Sequence, residues 1–101
     1  MMIKLTVLYG HPTEINAFES YYANTHLPIA AKLTGHKKLE LTKFLNAPDG
    51  AKPDYYRMAE FWYRDPEALQ KAMNSPEGKA TAGDLPNFAT GGVTLLAGVV
   101  E

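Results

Sequence analysis

His26 is the side chain in this sequence that is best placed for proton chemistry. It follows two adjacent tyrosines, Tyr21 and Tyr22, and Pro28 comes two residues after it. The pKa of an ordinary imidazole is about 6.5, so this group exchanges protons close to neutral pH. Held in an apolar pocket with few polar neighbours, such a group can act as a general acid or base.

The spacing of the apolar residues around His26 predicts that it points inward from a helix. Apolar residues recur at intervals of three and four, which places them on one helical face. The stripe consists of Ile15, Phe18, Tyr22, His26, Ile29 and Leu33. Tyr22 precedes His26 by one turn, and both are candidate catalytic residues. The alternative is a core histidine satisfied by a backbone carbonyl or a tyrosine hydroxyl.

Pro28 is expected to loosen the helix beside His26. Proline has no backbone N–H, so it cannot donate a hydrogen bond to the carbonyl of Asn24. A kink or loosened turn should follow, and a freed carbonyl could orient an imidazole or a ligand.

Several aromatic residues could line a pocket for a flat, lipophilic ligand. Small-molecule sites are mostly apolar and carry few polar groups. The candidates for substrate binding are Phe18, Phe44, Tyr56, Phe61, Trp62 and Phe88. The alternative is ordinary packing in the core or in a dimer interface. Alternation separates Tyr56, Met58 and Trp62 from Arg57 and Phe61, so the two sets should lie on opposite faces of a strand.

Charged residues in this strand need partners, because an unpaired charge in a central strand is costly. Glu60 is either a member of an ion pair across the dimer or a catalytic partner of His26, and we favour the ion pair. Arg57 should also be paired. His11 and His36 are expected to face solvent. Three histidines on separate elements, without a dense acidic cluster, lack metal-ligand spacing, so we expect no metal and no cofactor.

Composition excludes several kinds of chemistry. The chain has no cysteine, which rules out disulfides, thiolate metal sites and cysteine nucleophiles. Ten Lys and Arg against eleven Asp and Glu give a net charge of -1, so nucleic acid is not an expected partner. No apolar run approaches the roughly 20 residues that span a bilayer, and the chain shows no signal peptide. We therefore expect a cytoplasmic protein without a membrane partner.

The first half of the chain is predicted to form a strand, a helix and a second strand. Ile3–Tyr9 is the first strand, and Thr13 is placed to cap a helix from residue 14 to about residue 33. Gly35 supplies the left-handed stop that often ends a helix. Residues 36–45 then form a second strand.

The second half repeats the pattern in the order strand, helix, strand. Residues 55–63 form the third strand, and a capping acid before a proline starts a helix at residues 66–74. A second short helix follows at residues 76–82, and residues 93–100 form the last strand. The order β-α-β-β-α-β predicts an α+β, ferredoxin-like antiparallel sheet, in a single domain of residues 1–101.

The last strand predicts a homodimer. A sheet covered by helices on one face should alternate apolar and polar residues, but this strand is apolar on both faces, at Leu95 and Leu96 for example. A chain of this length offers no further element to cover the second face. We therefore expect a second copy of the sheet to cover it, related by a two-fold axis.

The chain resembles the EthD family, which is named for ethyl tert-butyl ether degradation and falls in the dimeric α/β-barrel superfamily. The most specific element is the tyrosine pair followed by His26, Leu27 and Pro28. The other matching pieces are residues 3–9, 59–63 and 75–78. The resemblance implies a homodimer whose two sheets form a barrel, with a pocket in each subunit between sheet and helices. Its superfamily includes cofactor-free monooxygenases, cyclases, isomerases and haem enzymes, so it implies no single reaction.

We therefore expect a homodimer that binds a lipophilic or aromatic small molecule between sheet and helices. His26 would perform acid/base or cofactor-free oxidative chemistry on it, as in a monooxygenase-like oxidoreductase, an isomerase or a cyclase. The alternative is a non-catalytic binding or carrier protein for a hydrophobic catabolic intermediate. A third possibility is an interaction module with no open cavity beside His26.

Overall fold

The computed structural model describes all residues from Met1 to Glu101 and is built on a four-stranded antiparallel sheet. The strands are β1 (Ile3–Tyr9), β2 (Lys38–Lys43), β3 (Arg57–Tyr63) and β4 (Val93–Val99). Their order across the sheet is β2-β3-β1-β4, so β2 and β4 form the two edges. The chain thus has the ferredoxin-like α+β fold expected from its sequence.

Helices cover one face of this sheet. The first connection contains α1 (Ile15–Tyr21), a π-helical turn (Tyr22–His26) and α2 (Leu27–Ala30). The second contains α3 (Pro66–Asn74), α4 (Pro76–Asp84) and a 3₁₀ turn (Leu85–Asn87). No helix is both long enough and apolar enough to cross a membrane.

The starts of α3 and α4 are set by their sequences. Asp65 accepts a hydrogen bond from the amide of Ala68, and Ser75 accepts one from the amide of Gly78. Each capping residue precedes a proline whose missing N–H is not needed at that position. Gly78 also lets the two helices approach closely, because a Cβ atom there would lie 2.0 Å from the carbonyl oxygen of Ala72.

The sheet has two different faces. The helix-covered face carries buried residues of β1 and β3, including Val7, Tyr9, Ala59, Phe61 and Tyr63. The helix-free face carries Lys4 and Thr6 of β1, Met58, Glu60 and Trp62 of β3, and Leu96 of β4. The core therefore lies between the helices and one side of the two central strands.

Several predicted boundaries differ from those observed. The first helical segment ends at Ala30 rather than near residue 33, and β2 and β3 each begin two residues later than expected. Thr13 does not cap α1: Glu14 holds that position without a side-chain hydrogen bond. The backbone amide of Thr13 instead donates to the side chain of Thr90. By contrast, the bounds of β1 and α3 are as predicted.

Tyr56 breaks the alternation expected for the third strand. It precedes β3 and packs edge-on against Phe18 of α1, with ring centroids 5.3 Å apart. It therefore lies on the helix-covered side, although alternation grouped it with Met58 and Trp62. Alternation holds only inside the regular strand, which begins at Arg57.

Candidate functional site

An apolar cavity lies between the sheet and the helices. About 60 Å³ of it is open to the centre of a water molecule, and no side chain of Asp, Glu, Lys or Arg lines it. Its polar groups come from a few residues, chiefly Tyr9, Tyr22 and His26. A site of this composition favours a neutral, lipophilic ligand.

A π-helical turn carries His26 to this cavity. The amide of Leu27 donates to the carbonyl of Tyr22, five residues earlier, where an α-helix would join residues four apart. The proline at residue 28 cannot make the next α-helical bond, so the loosening predicted beside His26 occurs in the turn that directly precedes it. Turns of this kind are frequent at functional sites.

His26 is buried against a carboxylate that the sequence analysis did not select. Its Nδ1 lies 2.9 Å from Oδ2 of Asp84, and the two residues are only 4% and 7% exposed. The hydroxyl of Tyr21 donates to Oδ1 of Asp84 at 2.6 Å, and the side-chain amide of Asn87 donates to the same oxygen at 3.0 Å. Asp84 thus binds three side chains, which come from α1, the π-helical turn and the 3₁₀ turn.

The ionisation of Asp84 follows from these contacts. Burial raises the pKa of a carboxyl, but the hydrogen bonds from Tyr21, Asn87 and His26 outweigh burial and hold the pKa of Asp84 below its usual range. The residue is therefore a carboxylate at neutral pH. A carboxylate beside Nδ1 favours the tautomer in which that nitrogen carries the proton.

The π turn explains how Tyr21 and His26 reach the same carboxylate. They are five residues apart, and five residues of an ordinary α-helix turn through about 140° beyond a full circle, which separates the side chains. In a π-helical turn, whose hydrogen bonds join residues five apart, two side chains five residues apart lie on the same side of the helix. The irregular turn therefore assembles the Asp84 network.

The second nitrogen of His26, Nε2, makes no hydrogen bond within the chain. The ring packs against Phe88, with centroids 4.5 Å apart, and stacks on Tyr22 at 5.9 Å. Nδ1 is bound to Asp84, so Nε2 is the ring nitrogen without a partner within the chain. His26 is also one of the residues that line the cavity.

Tyr22 contacts both His26 and a second charged network. The guanidinium of Arg57 lies 4.9 Å from the centre of the Tyr22 ring. Arg57 binds both carboxylate oxygens of Glu19, at 2.9 and 2.7 Å. Burial raises the pKa of Tyr22 despite the nearby arginine, so its hydroxyl stays protonated and can donate a hydrogen bond.

Tyr9 is a further cavity residue that the sequence analysis did not select. Its ring lies 5.7 Å from that of Tyr22, and its hydroxyl makes no hydrogen bond within the chain. Burial raises the pKa of Tyr9, so this hydroxyl also stays protonated. Tyr9 ends the predicted strand β1, and its position in the strand gives no signal of a functional role.

The structure brings only some of the proposed binding residues to the cavity. Phe61 lines it together with the two candidate catalytic residues, His26 and Tyr22. Phe18 and Phe88 pack beside Tyr22 but line a separate cleft outside the cavity. These positions follow from the helical stripe and from the aromatic cluster around Tyr9.

Three further candidates for binding also lie outside the cavity. Trp62 lies on the opposite side of the sheet, where Lys38 and Lys4 approach its ring at 4.7 and 5.6 Å. Phe44 follows the edge strand β2, and Tyr56 packs on the outer side of Phe18. For Trp62 the reason is its register in β3, which places it on the helix-free face.

The other charged and histidine side chains singled out from the sequence also lie outside the cavity. Glu60 binds Lys4 at 3.0 Å on the helix-free face, so its ion pair forms within the chain rather than across a dimer, and the sheet separates Glu60 from His26. His11 and His36 are half-buried rather than solvent-facing: Nε2 of His11 donates to the carbonyl of Pro53, and His36 packs edge-on against Phe61. No group of three or more His, Asp or Glu side chains could hold a metal ion.

Residues 11–92 match the EthD domain, which is most of the chain. The chain belongs to the EthD family. The structure of an EthD family protein from Bacillus halodurans is similar to that of this chain, with a TM-score of 0.90, 39% identity and full coverage of both chains. An EthD-like protein from Ralstonia eutropha is 29% identical, with a TM-score of 0.72 over 99% of this chain and 94% of that one.

A curated relative supports the same assignment. An uncharacterized 11.0 kDa protein from the thcB-thcC intergenic region of Rhodococcus erythropolis is 34% identical over 95 residues, which are 94% of this EthD chain and 91% of that protein.

More distant structures share only the fold. They include a dimeric ferredoxin-like protein from Bacteroides fragilis, at 15% identity and a TM-score of 0.66 over 98% and 96% of the two chains. SnoaB from Streptomyces nogalater, a cofactor-independent oxygenase, is 19% identical with a TM-score of 0.61 over 98% and 91%.

Proposed function

We propose that this EthD protein binds a neutral, lipophilic small molecule in the cavity and transfers a proton through His26 without a cofactor. The observation that carries this assignment is the orientation of the imidazole. Asp84 holds Nδ1 at 2.9 Å, and Nε2 has no partner within the chain and belongs to a residue that lines the cavity.

The arrangement suits proton abstraction from a ligand carbon or hydroxyl. Nε2 takes the proton, and the carboxylate of Asp84 stabilises the imidazolium that forms. The protonated hydroxyls of Tyr22 and Tyr9 are available to donate to an oxygen atom on which negative charge develops. Pairing a base with such donors is the usual requirement for reaction next to a carbonyl.

The same step would start cofactor-free oxidative chemistry. A deprotonated, electron-rich ligand can itself supply electrons to dioxygen, so the protein would need only to form and hold the anion. SnoaB, a cofactor-independent oxygenase, shares the fold, which supports this reading at the level of the scaffold.

A non-catalytic binding or carrier role is the second candidate. The observation that favours it is the lining of the cavity, which is almost entirely apolar and small. A carrier would bind the ligand and return it unchanged. It would be stabilised by the ligand but form no product.

The test is deuterium exchange at carbon, followed by NMR in D₂O over a panel of neutral ketones and phenols. We expect the protein to accelerate exchange for at least one ligand and His26→Gln to abolish the acceleration. His11→Gln is the matched control, because His11 binds a backbone carbonyl away from the cavity. Ligand-dependent stabilisation without exchange would instead assign the carrier role.

We also propose that the protein is a homodimer built through the helix-free face. Met58, Trp62 and Leu96 lie there without covering helices, and Leu96 is exposed on an edge strand. A related fold is described as dimeric. Light scattering should give a dimer mass for the wild type and a monomer mass for Leu96→Glu. Leu45→Glu, in an exposed loop, should remain dimeric.

A further inference from the structure

The cavity spans the whole width of the sheet, and two neighbouring rows of residues line its floor. Leu39, Phe61 and Leu5 form a shorter row, and a longer row reaches all four strands. Leu41 of β2 pairs with Ala59 of β3, Ala59 pairs with Val7 of β1, and Val7 pairs with Leu95 of β4. All four line the cavity. The floor of the cavity is therefore a continuous apolar track that runs perpendicular to the strands.

The longer row is exposed to solvent at its two ends and buried in its middle. Leu41 and Leu95 are 41% and 54% exposed, whereas Ala59 and Val7 are buried. The smallest side chain of the row, Ala59, lies in the middle, and the helices above contribute the small residues Gly78 and Ala82. The cavity thus has the outline of a passage between the two edges of the sheet.

The dimensions of this passage restrict what it can hold. Three strand spacings of about 4.8 Å give a length of about 14 Å. Spread over this length, the 60 Å³ open to water centres corresponds to a mean cross-section of about 4 Å². Adding a water radius of about 1.4 Å gives a mean distance of about 2.5 Å from the axis to the walls. A methylene chain fits such a passage, but the width of an aromatic ring does not.

Building on the ligand site proposed above, we propose that its ligand is a linear aliphatic chain that lies along the row from Leu41 to Leu95. With carbon–carbon bonds of about 1.5 Å in an extended zigzag, about eleven carbons span the passage. This ligand class is narrower than the flat, lipophilic class expected from the aromatic content of the sequence. Most of those aromatic rings pack outside the cavity.

Titration calorimetry with straight-chain primary alcohols of six to fourteen carbons tests this assignment. The dissociation constant should fall roughly three- to fourfold for each added methylene and level off at about eleven carbons. 2-Naphthalenemethanol is compared with 1-heptanol, a straight-chain alcohol of similar hydrophobicity, and we expect it to bind at least tenfold more weakly. Equal or tighter binding of the naphthalene compound would overturn the linear ligand but leave a lipophilic site, and no binding by either would overturn both.

A variant that blocks the passage at the β4 edge of the sheet provides a second test. Leu95→Trp should close the passage at β4 and shorten the chain length at which affinity levels off, by about one strand spacing, or roughly four carbons. Val99→Trp is the matched control: Val99 shares the strand, face and exposure of Leu95, at 53% against 54%, but does not line the cavity. An unchanged chain-length profile in Leu95→Trp would contradict a passage that reaches β4.

Discussion

Two carboxylates with different partners flank Tyr22. Glu19 binds the guanidinium of Arg57 through both oxygens and also approaches Lys43, at 3.5 Å. Asp84 binds Tyr21, Asn87 and the imidazole of His26. Both have a lowered pKa, but by different means: hydrogen bonds from Arg57 bring the pKa of Glu19 to about 2, whereas neutral donors contribute much of the shift at Asp84.

The difference lies in whether the partner can change its charge. A guanidinium stays protonated at every physiological pH, so the Glu19–Arg57 pair is a fixed structural contact. An imidazole has two nitrogens that can each carry or lack a proton, and here Nε2 has no partner within the chain. The Asp84 network can therefore support a reaction, while the Glu19 network is a fixed contact between α1 and β3.

The largest expected difference between the networks is in turnover. His26→Gln should lower the rate of the exchange reaction by about 10² to 10⁴, the range typical for loss of a general base. Glu19→Gln should leave the rate unchanged, since Glu19 does not line the cavity. Steady-state kinetics on both variants measure this. A similar loss in both would remove the functional distinction between the networks.

Asp84→Asn should have a smaller effect on the same reaction, about 10- to 100-fold, as for other partners that orient a histidine. An amide cannot stabilise the imidazolium, and its NH₂ group can donate to Nδ1 and select the wrong tautomer. Loss of rate should be accompanied by a change in the ¹⁵N shifts of His26. An unchanged rate with unchanged shifts would show that Asp84 does not orient the ring.

Arg57→Gln should act on stability rather than on turnover. It leaves Glu19 without its bidentate partner, so the free energy of unfolding should fall by about 1 to 3 kcal/mol. Urea denaturation measures this loss. If the variant were as stable as the wild type, the Glu19–Arg57 pair would not be a structural contact.

Acid should weaken the Glu19 network by the same mechanism. The pKa of Glu19 falls from an ordinary 4.5 to about 2 on folding, so its contribution to stability is present above 4.5 and is lost as the pH falls toward 2. Urea midpoints measured between pH 5 and 2 should fall more steeply for the wild type than for Glu19→Gln. Parallel curves would assign the acid sensitivity to other carboxyls, Asp84 among them.

Local signals in the sequence predicted much of the fold. Asp65 before Pro66 and Ser75 before Pro76 fixed the starts of α3 and α4, because capping depends on adjacent residues. Pro28 indicated a loosened turn beside His26, since a missing N–H is a local property. Neither observation required knowledge of distant contacts.

Such local signals could not predict which charged side chains pair at the site. Asp84 lies 58 residues from His26 and Glu19 lies 38 residues from Arg57, and no periodicity links such positions. One hint was present: an acid at the C-terminal end of a helix opposes the helix dipole, so Asp84 at the end of α4 indicates a role outside the helix. Trp62 was grouped with the pocket because the sequence gives strand alternation but not which face the helices cover.

The tautomer of His26 is the most direct test of the central claim that Nε2 is the nitrogen available to a ligand. Long-range ¹H–¹⁵N correlation spectra of protein with ¹⁵N-labelled histidine, recorded near pH 8, distinguish the two ring nitrogens. We predict a protonated Nδ1 and an unprotonated Nε2, with the Nε2 shift changing when an aliphatic alcohol binds. A protonated Nε2 with a bare Nδ1 would contradict the account.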